Sequence, residues 1–372
     1  MISIVEVATK KQQKQFIEFP LKLYKDNPYF VPPLYGDEKN MFKPDFTYHD
    51  SCDIVNFLAF DGDTVVGRIQ GIIQKDANRK NNERRVRFSR FDSVDRQEVA
   101  DALFKAVEDW AKKKGMDTAC GPLGFSDLER EGLLIEGFDQ LSTFEEQYNA
   151  AYYQRLIENC GYAKEVDWTE SKIYAPDEDD GTMQKMADFI MKRYNLHFGA
   201  AKNVNDFIDK YADDLFRLID MGYEHLYGTV PFTQGMKDQI ITSFKLIVDL
   251  KHVAIILDEN DRAVCMGVCF PSIGKAVQKS GGRLTPAALI KLLRAIKHPK
   301  VIDFGLIAVD PVYMNRGVSA AISAEVLKML REPGIEYAET NLNLEDNFAI
   351  QNQWKRFKEI KHKRRRAFVK SL

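Results

Sequence analysis

Residues 315–319 read Asn-Arg-Gly-Val-Ser and come after an apolar run from Val301 to Val309. A strand that turns into a helix at this point leaves the first N–H groups of the helix unpaired and concentrates about half a positive charge there. A diphosphate sits well at such a terminus. Arg316 adds a cation, and Gly317 lets the backbone approach closely. Ser319 adds a side chain but also a hydroxyl donor, which weakens phosphate binding without excluding it. An earlier stretch stands in the same relation to its neighbours: Phe91-Asp92-Ser93-Val94-Asp95-Arg96. It has no glycine, and its two carboxylates would face the phosphates at a cost of about 1 kcal/mol each even in a wet site. This stretch is not expected to hold a diphosphate.

The elements that position these residues occur twice. Ile2 to Ala8 reads as a strand, and Thr9 caps a helix with Phe16, Phe19 and Leu23 on one face. Ile54 to Phe60 and Thr64 to Ile73 flank the hairpin signal Asp61-Gly62-Asp63. Arg84 to Phe91 alternates basic and apolar residues. Gln97 to Lys114 is a helix striped by Val99, Leu103, Val107 and Trp110, and Gly115 ends it. A short strand, Asp117 to Cys120, precedes a long loop. A helix over 147–160 and a strand from Glu165 to Tyr174 come next. Pro176-Asp-Glu-Asp-Asp180 is polar and linker-like, which predicts a boundary between 1–175 and 176–372.

The order then repeats. A short strand near Phe198, a helix capped by Asn203, a helix after Thr233, and a hairpin of His252 to Leu257 and Ala263 to Pro271 come first. An inserted helix over Pro286 to Ile296 precedes the strand Val301 to Val309. A helix over 316–330, a strand from Tyr337 to Leu342, a helix over 346–357 and a strand from Ile360 to Val369 close the series. Repetition of this kind predicts two tandem α/β units, each a mixed sheet with helices on both faces.

Composition bounds the rest. The chain has 372 residues, 45% of them hydrophobic and 29% charged, the profile of a globular protein long enough for two cores. No apolar run reaches the roughly 18 residues of a membrane span, and the N-terminus carries no secretory pattern, so a cytoplasmic protein is expected. A net charge of -2 argues against a dedicated nucleic-acid binder. The basic run Lys361 to Arg366 reads as a solvated terminal strand. Five scattered cysteines suit a reducing compartment. Cys265 and Cys269 fall within a strand and read as buried thiols, and no metal site is expected. Tyr148, Tyr152 and Tyr153 stripe a helix as core residues do. The long loop bearing Gly132, Gly137 and Phe138 is expected to cap a groove between the halves.

This element order resembles the Gcn5-related N-acetyltransferase superfamily, once per half. Leu306-Ile307-Ala308-Val309-Asp310-Pro311, leading through Tyr313 into Arg316-Gly317-Val318-Ser319-Ala320-Ala321, is similar to its pyrophosphate loop, [QR]-x-x-G-x-[GA]. Ser319 departs from the usual glycine. Asn347, Ile350 and Trp354 resemble the family's helix after the fifth strand. In the first half Asn149, Tyr152 or Tyr153, and Gly161-Tyr162 resemble it, with the glycine one residue late. GPLGFS, LIEGFD and YNAAYYQRLIENCGY look like a bacterial family of double-domain proteins known only as acyltransferase-like.

The resemblance implies two tandem acyl-CoA N-acyltransferase-like domains, the first with a degenerate cofactor loop. It implies an acetyl-CoA or other acyl-CoA site formed by Ile307, Ala308, Val309, Arg316, Gly317, Val318, Ser319, Ala320, Ala321 and Asn347. Acylation of an amine needs a base for the amine proton and an acid for the leaving thiolate. The superfamily uses a carboxylate or a bound water on the central strands, and a tyrosine on the last helix. Here Glu339 and Asn341 share a face of the fifth strand and Asp303 lies on the fourth. Trp354 stands where the acid tyrosine is usual, leaving Tyr313 and Tyr337 as substitutes. The activity so implied is CoA-dependent acyl transfer onto a small amine or an amino-acid-like acceptor. Two alternatives stay open, a transferase using charged tRNA and a non-catalytic binding protein. The oligomeric state is not legible.

Overall fold

A computed structural model describes residues 1–372 as two compact units. Unit 1 comprises 1–169, 274–291 and 362–372. Unit 2 comprises 170–273 and 292–361. The division tracks strand pairing rather than the polar composition of 176–180, which lies after a strand and inside unit 2.

Unit 1 begins with β1 (Ile2–Glu6) and α1 (Lys10–Leu23). Thr9 caps α1 in a reciprocal box, its hydroxyl accepting from the Gln12 N–H at 3.3 Å and its own N–H donating to the Gln12 side chain at 2.8 Å. Next come α2 (Tyr35–Asn40), β2 (Cys52–Asp61), β3 (Thr64–Gln74), α3 (Lys75–Asn81), β4 (Arg85–Ser93), α4 (Gln97–Lys113), β5 (Thr118–Gly121), β6 (Leu133–Glu136), α5 (Tyr152–Asn159) and β7 (Ala163–Tyr174), which continues into unit 2. Val99, Leu103, Val107 and Ala111 of α4 are fully buried against the sheet, as the stripe requires.

Unit 2 holds α6 (Thr182–Arg193), β8 (His197–Phe198), α7 (Val204–Tyr223), α8 (Gln234–Ile247), β9 (Val253–Leu257) and β10 (Ala263–Pro271). Next in the chain are α9 (Gly274–Gln278) and α10 (Pro286–Lys297). Unit 2 resumes with β11 (Val301–Val309), α11 (Ser319–Leu330), β12 (Tyr337–Glu339), β13 (Asn343–Leu344), α12 (Phe348–Trp354) and the first residues of β14 (Lys358–Ser371).

In unit 1 the strands lie in the order β1-β2-β3-β4-β5-β14, and in unit 2 in the order β7-β12-β11-β10-β9-β8. Each unit therefore has one parallel pair, β4–β5 and β11–β12, in an otherwise antiparallel sheet. The last strands are exchanged. Ile173 of β7 pairs with Ala338, and Phe368 of β14 pairs with Gly121. The expectation that each half closes with its own last strand is thereby corrected, because period-two alternation specifies a strand and not its neighbour.

Segment 274–291 belongs to unit 1 for a related reason. Val277 is buried against Val31 and Leu34, and the Gln278 amide donates to the carbonyls of Pro28 at 2.8 Å and Phe30 at 3.0 Å.

The basic run is not solvated. Alternation along β14 sends Lys363 and Arg365 inward, where both are buried. Arg364 and Arg366 hold the fully buried Asp167 carboxylate at 2.6 and 2.7 Å. The helix expected over 147–160 starts only at Tyr152. Asn149 is held outside it, its amide accepting from the Leu134 N–H at 2.7 Å and donating to the Leu134 carbonyl at 3.0 Å.

Candidate functional site

In both units a bulge interrupts the fourth strand of the fold just before it turns into a helix. In unit 1 the β3–β4 register slips between Arg68 and Gln70, and in unit 2 the β10–β11 register slips between Val268 and Cys269. A bulge bends its strand and re-aims the residues beyond it. In unit 2 the extra residue is Gly305, where an added Cβ would lie 2.6 Å from the Phe270 ring.

β11 runs beside β12 only as far as Asp303, which pairs with Glu339. The two strands then part. Asn341 lies beyond the end of β12, and its amide donates across the parting to the Gly305 carbonyl at 3.3 Å. The expectation that Glu339 and Asn341 share a strand face is thus corrected. Thr340 turns the backbone away, its N–H bonding the Ser171 carbonyl at 2.9 Å. From Gly305 to Val309 the β12 side of β11 has no neighbouring strand. The Ile307 carbonyl is taken by the Tyr223 hydroxyl at 2.8 Å. Ala308 is buried, and Ile307 and Val309 are half-buried.

The turn after β11 is anchored at its start. The Asp310 carboxylate is buried, accepts from the Val312 N–H at 3.0 Å and meets Arg217 at 3.1 Å. Asn315 and Gly317 are both left-handed, with φ of 62° and 77°, conformations that asparagine and glycine tolerate best. These two residues delay the helix, which begins at Ser319 instead of Arg316. A Cβ on Gly317 would lie 2.8 Å from Ile190 Cδ1. The N–H groups of Gly317, Val318 and Ser319 donate to no protein acceptor, whereas those of Ala320 and Ala321 already bond back to Gly317 and Val318. Arg316 is exposed, its guanidinium 5.3 Å from the Tyr313 ring centre and 5.5 Å from that of Tyr194. Donors and a cation therefore converge at one turn, the arrangement an anion requires.

The same turn in unit 1 is filled by the protein. Asp92 does not face outward, as the sequence suggested, but is buried on Arg68 at 2.8 Å. The bulge rotates it inward. Burial pushes its carboxyl above the usual carboxylate range, against the pull of Arg68. The Tyr153 hydroxyl accepts from the Ser93 N–H at 2.9 Å, the Tyr152 hydroxyl donates to the Ser93 carbonyl at 2.6 Å, and the Val94 N–H donates to Val66 at 3.0 Å. Asp95 pairs with Arg155. The tyrosine stripe thus combines core packing with closure of the turn at Ser93, and the carboxylates of Asp95 and Glu98 lie beside the start of α4.

The other predicted residues of unit 2 divide. Glu339 is buried in a cross-strand row with Asp303 and Lys172, one charged residue from each of three adjacent strands on one face. Asn347 is the helix cap of α12, its side chain accepting from the Ile350 N–H at 3.3 Å, and this use takes it out of the turn's donor set. Trp354 is a packing residue, stacked on Phe304 with centroids 5.2 Å apart, its indole N–H donating to Asn343 at 2.8 Å. Sequence reasoning passed over Lys172 and Tyr223. Lys172 carries no signal until its strand is known to join unit 2.

Protein YghO of Escherichia coli strain K12 is 26% identical over 381 residues, which cover 98% of this chain and 94% of that protein. A bacterial ceramide synthase of Caulobacter vibrioides is 27% identical over 301 residues, covering 80% of this chain and 77% of its own. Among solved structures, a tandem GNAT protein from the clavulanic acid biosynthesis pathway matches 100% of this chain and 98% of its own, with a TM-score of 0.56 at 12% identity. No protein-family model matches. The fold is that of the tandem Gcn5-related N-acetyltransferases, and no helix is long and apolar enough to cross a membrane.

Proposed function

We propose that this chain is a CoA-dependent N-acyltransferase with one acyl-CoA site, in unit 2, acting on an amine of low molecular weight. One contrast carries the reading. The turn at 315–319 leaves three N–H groups and Arg316 for a ligand, while the matching turn in unit 1 is occupied by Tyr152 and Tyr153. Arg316 and the N–H groups of Gly317, Val318 and Ser319 would hold the diphosphate, and the unpartnered side of β11 would accompany the chain that leads to the thioester.

In the reaction the amine nitrogen bonds to the thioester carbon and the C–S bond breaks. One amine proton must leave and the thiolate must gain one. Glu339, through water, is the candidate acceptor for the first, with Lys172 paired beside it on β7 and Asp303 on β11. Tyr313 is the candidate donor for the second. Asn341 bridges the parting of β11 and β12 at Gly305.

Titration calorimetry with acetyl-CoA and with a longer acyl-CoA tests this. One site per chain is expected, and Arg316→Glu should weaken it by about tenfold or more, since repulsion replaces a charge-assisted contact. Unchanged affinity in that variant would refute the phosphate turn. Absence of binding would favour a tRNA-using or non-catalytic protein.

The Caulobacter relative's name favours a second reading, in which the acceptor is a long-chain amine and the product a lipid amide. Parallel assays with short and long-chain primary amines separate the two.

A further inference from the structure

The helix α10 presents an aliphatic stripe to solvent. Thr285 and Pro286 start the helix. The Thr285 hydroxyl accepts from the Ala288 N–H at 3.2 Å, and proline at the first helical position lacks an N–H that would be unpaired there in any case. Ala288 and Leu292, one turn apart, are buried and mark the inward face. On the outward side Leu289, Ile290 and Leu293 are 40%, 68% and 57% exposed. Leu284, just before the helix, is exposed as well. Single exposed aliphatic residues are ordinary, but a contiguous stripe along one helix marks a contact surface.

The charges around the stripe have one sign. From Arg283 to Lys300 the chain has five lysines and arginines and no aspartate or glutamate, in a protein whose net charge is -2. Arg283 and Lys300 are paired, with Glu18 at 2.8 Å and with Glu336 at 2.9 Å. Lys291, Arg294 and Lys297 are exposed and take part in no ion pair. Arg294 stands one turn beyond Ile290 and Lys297 one turn beyond Leu293, so cations border the stripe.

This combination selects the occupant. A second copy of the chain, docked through the same face, would set these cations against themselves. A nucleic acid would meet aliphatic side chains where it needs donors. A negatively charged bilayer accepts both parts: the aliphatic groups enter the acyl boundary, and the long stems of lysine and arginine keep their charges at the level of the phosphates. The helix is about 18 Å long and its cations interrupt the apolar run, so it suits lying in the surface rather than crossing it. We propose that α10 docks this protein onto an anionic lipid surface, with Leu289, Ile290 and Leu293 inserted and Lys291, Arg294 and Lys297 on the headgroup phosphates.

The test is flotation of the full chain, without any CoA, on vesicles of phosphatidylglycerol and phosphatidylcholine in equal parts, and on phosphatidylcholine alone. The protein should float with the mixed vesicles and partition onto the neutral ones at least about tenfold more weakly. Salt at about 0.5 M should weaken the association by screening. Ile290→Asp with Leu293→Asp should lower partitioning at least about tenfold, and so should Lys291→Glu with Arg294→Glu. All four positions are exposed, so the melting temperature should hold in both variants. Lys112→Glu with Lys113→Glu makes the same charge change at exposed positions of α4 and should alter partitioning by less than about threefold. No flotation with the mixed vesicles would leave the face to an acidic protein partner and overturn the proposal. Equal flotation with neutral vesicles, partitioning untouched by the aspartate pair, or an equal loss in the α4 control would each overturn it too. Displacement by millimolar inorganic phosphate would assign the cations to a free anion, with the same result. The assay contains no CoA, so failure of the acyl-CoA reading and failure of this one are separable.

Discussion

Gly317→Ala tests the phosphate turn through the backbone rather than through charge. At φ 77° an alanine pays a conformational penalty of about 1 kcal/mol. The new Cβ would also stand 2.8 Å from Ile190 Cδ1, the far end of a side chain that is 7% exposed. Rotating or shifting that side chain in a packed core adds about 1 kcal/mol or more. The expected total is about 2 kcal/mol, which for a unit of this size lowers the melting temperature by about 4–8 °C. Ile190→Val removes the clashing atom. In that background the alanine should cost only the conformational part, a coupling of about 1 kcal/mol by double-mutant cycle. Urea unfolding of the four proteins measures the cycle, and acetyl-CoA calorimetry on the same samples reads the site. Affinity should fall in Gly317→Ala in both backgrounds, because an alanine draws the backbone away from its left-handed conformation and re-aims the N–H groups of the turn. A stabilising effect would show that the backbone at 317 is right-handed. Unchanged stability together with unchanged acetyl-CoA affinity would refute the geometry of the turn.

Tyr153→Phe removes the acceptor of the Ser93 N–H and should cost about 1–3 kcal/mol, with acetyl-CoA stoichiometry still one per chain. No loss of stability would mean that this hydroxyl does not close the unit 1 turn. Ending the chain at Lys361 removes the strand that pairs with β5, along with the fully buried Phe368. Loss of that ring alone is worth about 3–5 kcal/mol, so residues 1–169 should become protease-sensitive as a block, and continued resistance would refute the exchanged strand. Burial alone would raise the Asp167 carboxyl, but Arg366, Arg364 and Lys164 hold it below its usual value. A depressed folded value contributes stability above the unfolded pKa of about 3.9, and that stability is lost as pH falls through the folded value. Asp167→Asn should therefore be less stable at neutral pH and show a flatter acid limb in urea midpoints against pH; an equally steep limb would contradict this.

Local patterns settled much of the architecture. Apolar runs at 54–60 and 301–309, the stripe of α4 and the caps at Thr9, Asn203 and Thr233 each depend on near neighbours, and each element is found where its pattern stands. The helix after β11 was legible for the same reason, but its expected start at Arg316 was three residues early, because Asn315 and Gly317 are left-handed and delay it to Ser319. The exchange of β7 and β14 was not legible, because alternation records which face is buried and not which strand lies alongside. That exchange changed the meaning of several residues at once. It put Lys172 beside Glu339, buried Arg365, and made Asp167 the counter-ion of Arg364 and Arg366. The bulge in β4 likewise turned Asp92 from a presumed surface charge into the partner of Arg68. Burial and pairing are properties of contacts between distant residues, and tertiary structure alone decides them.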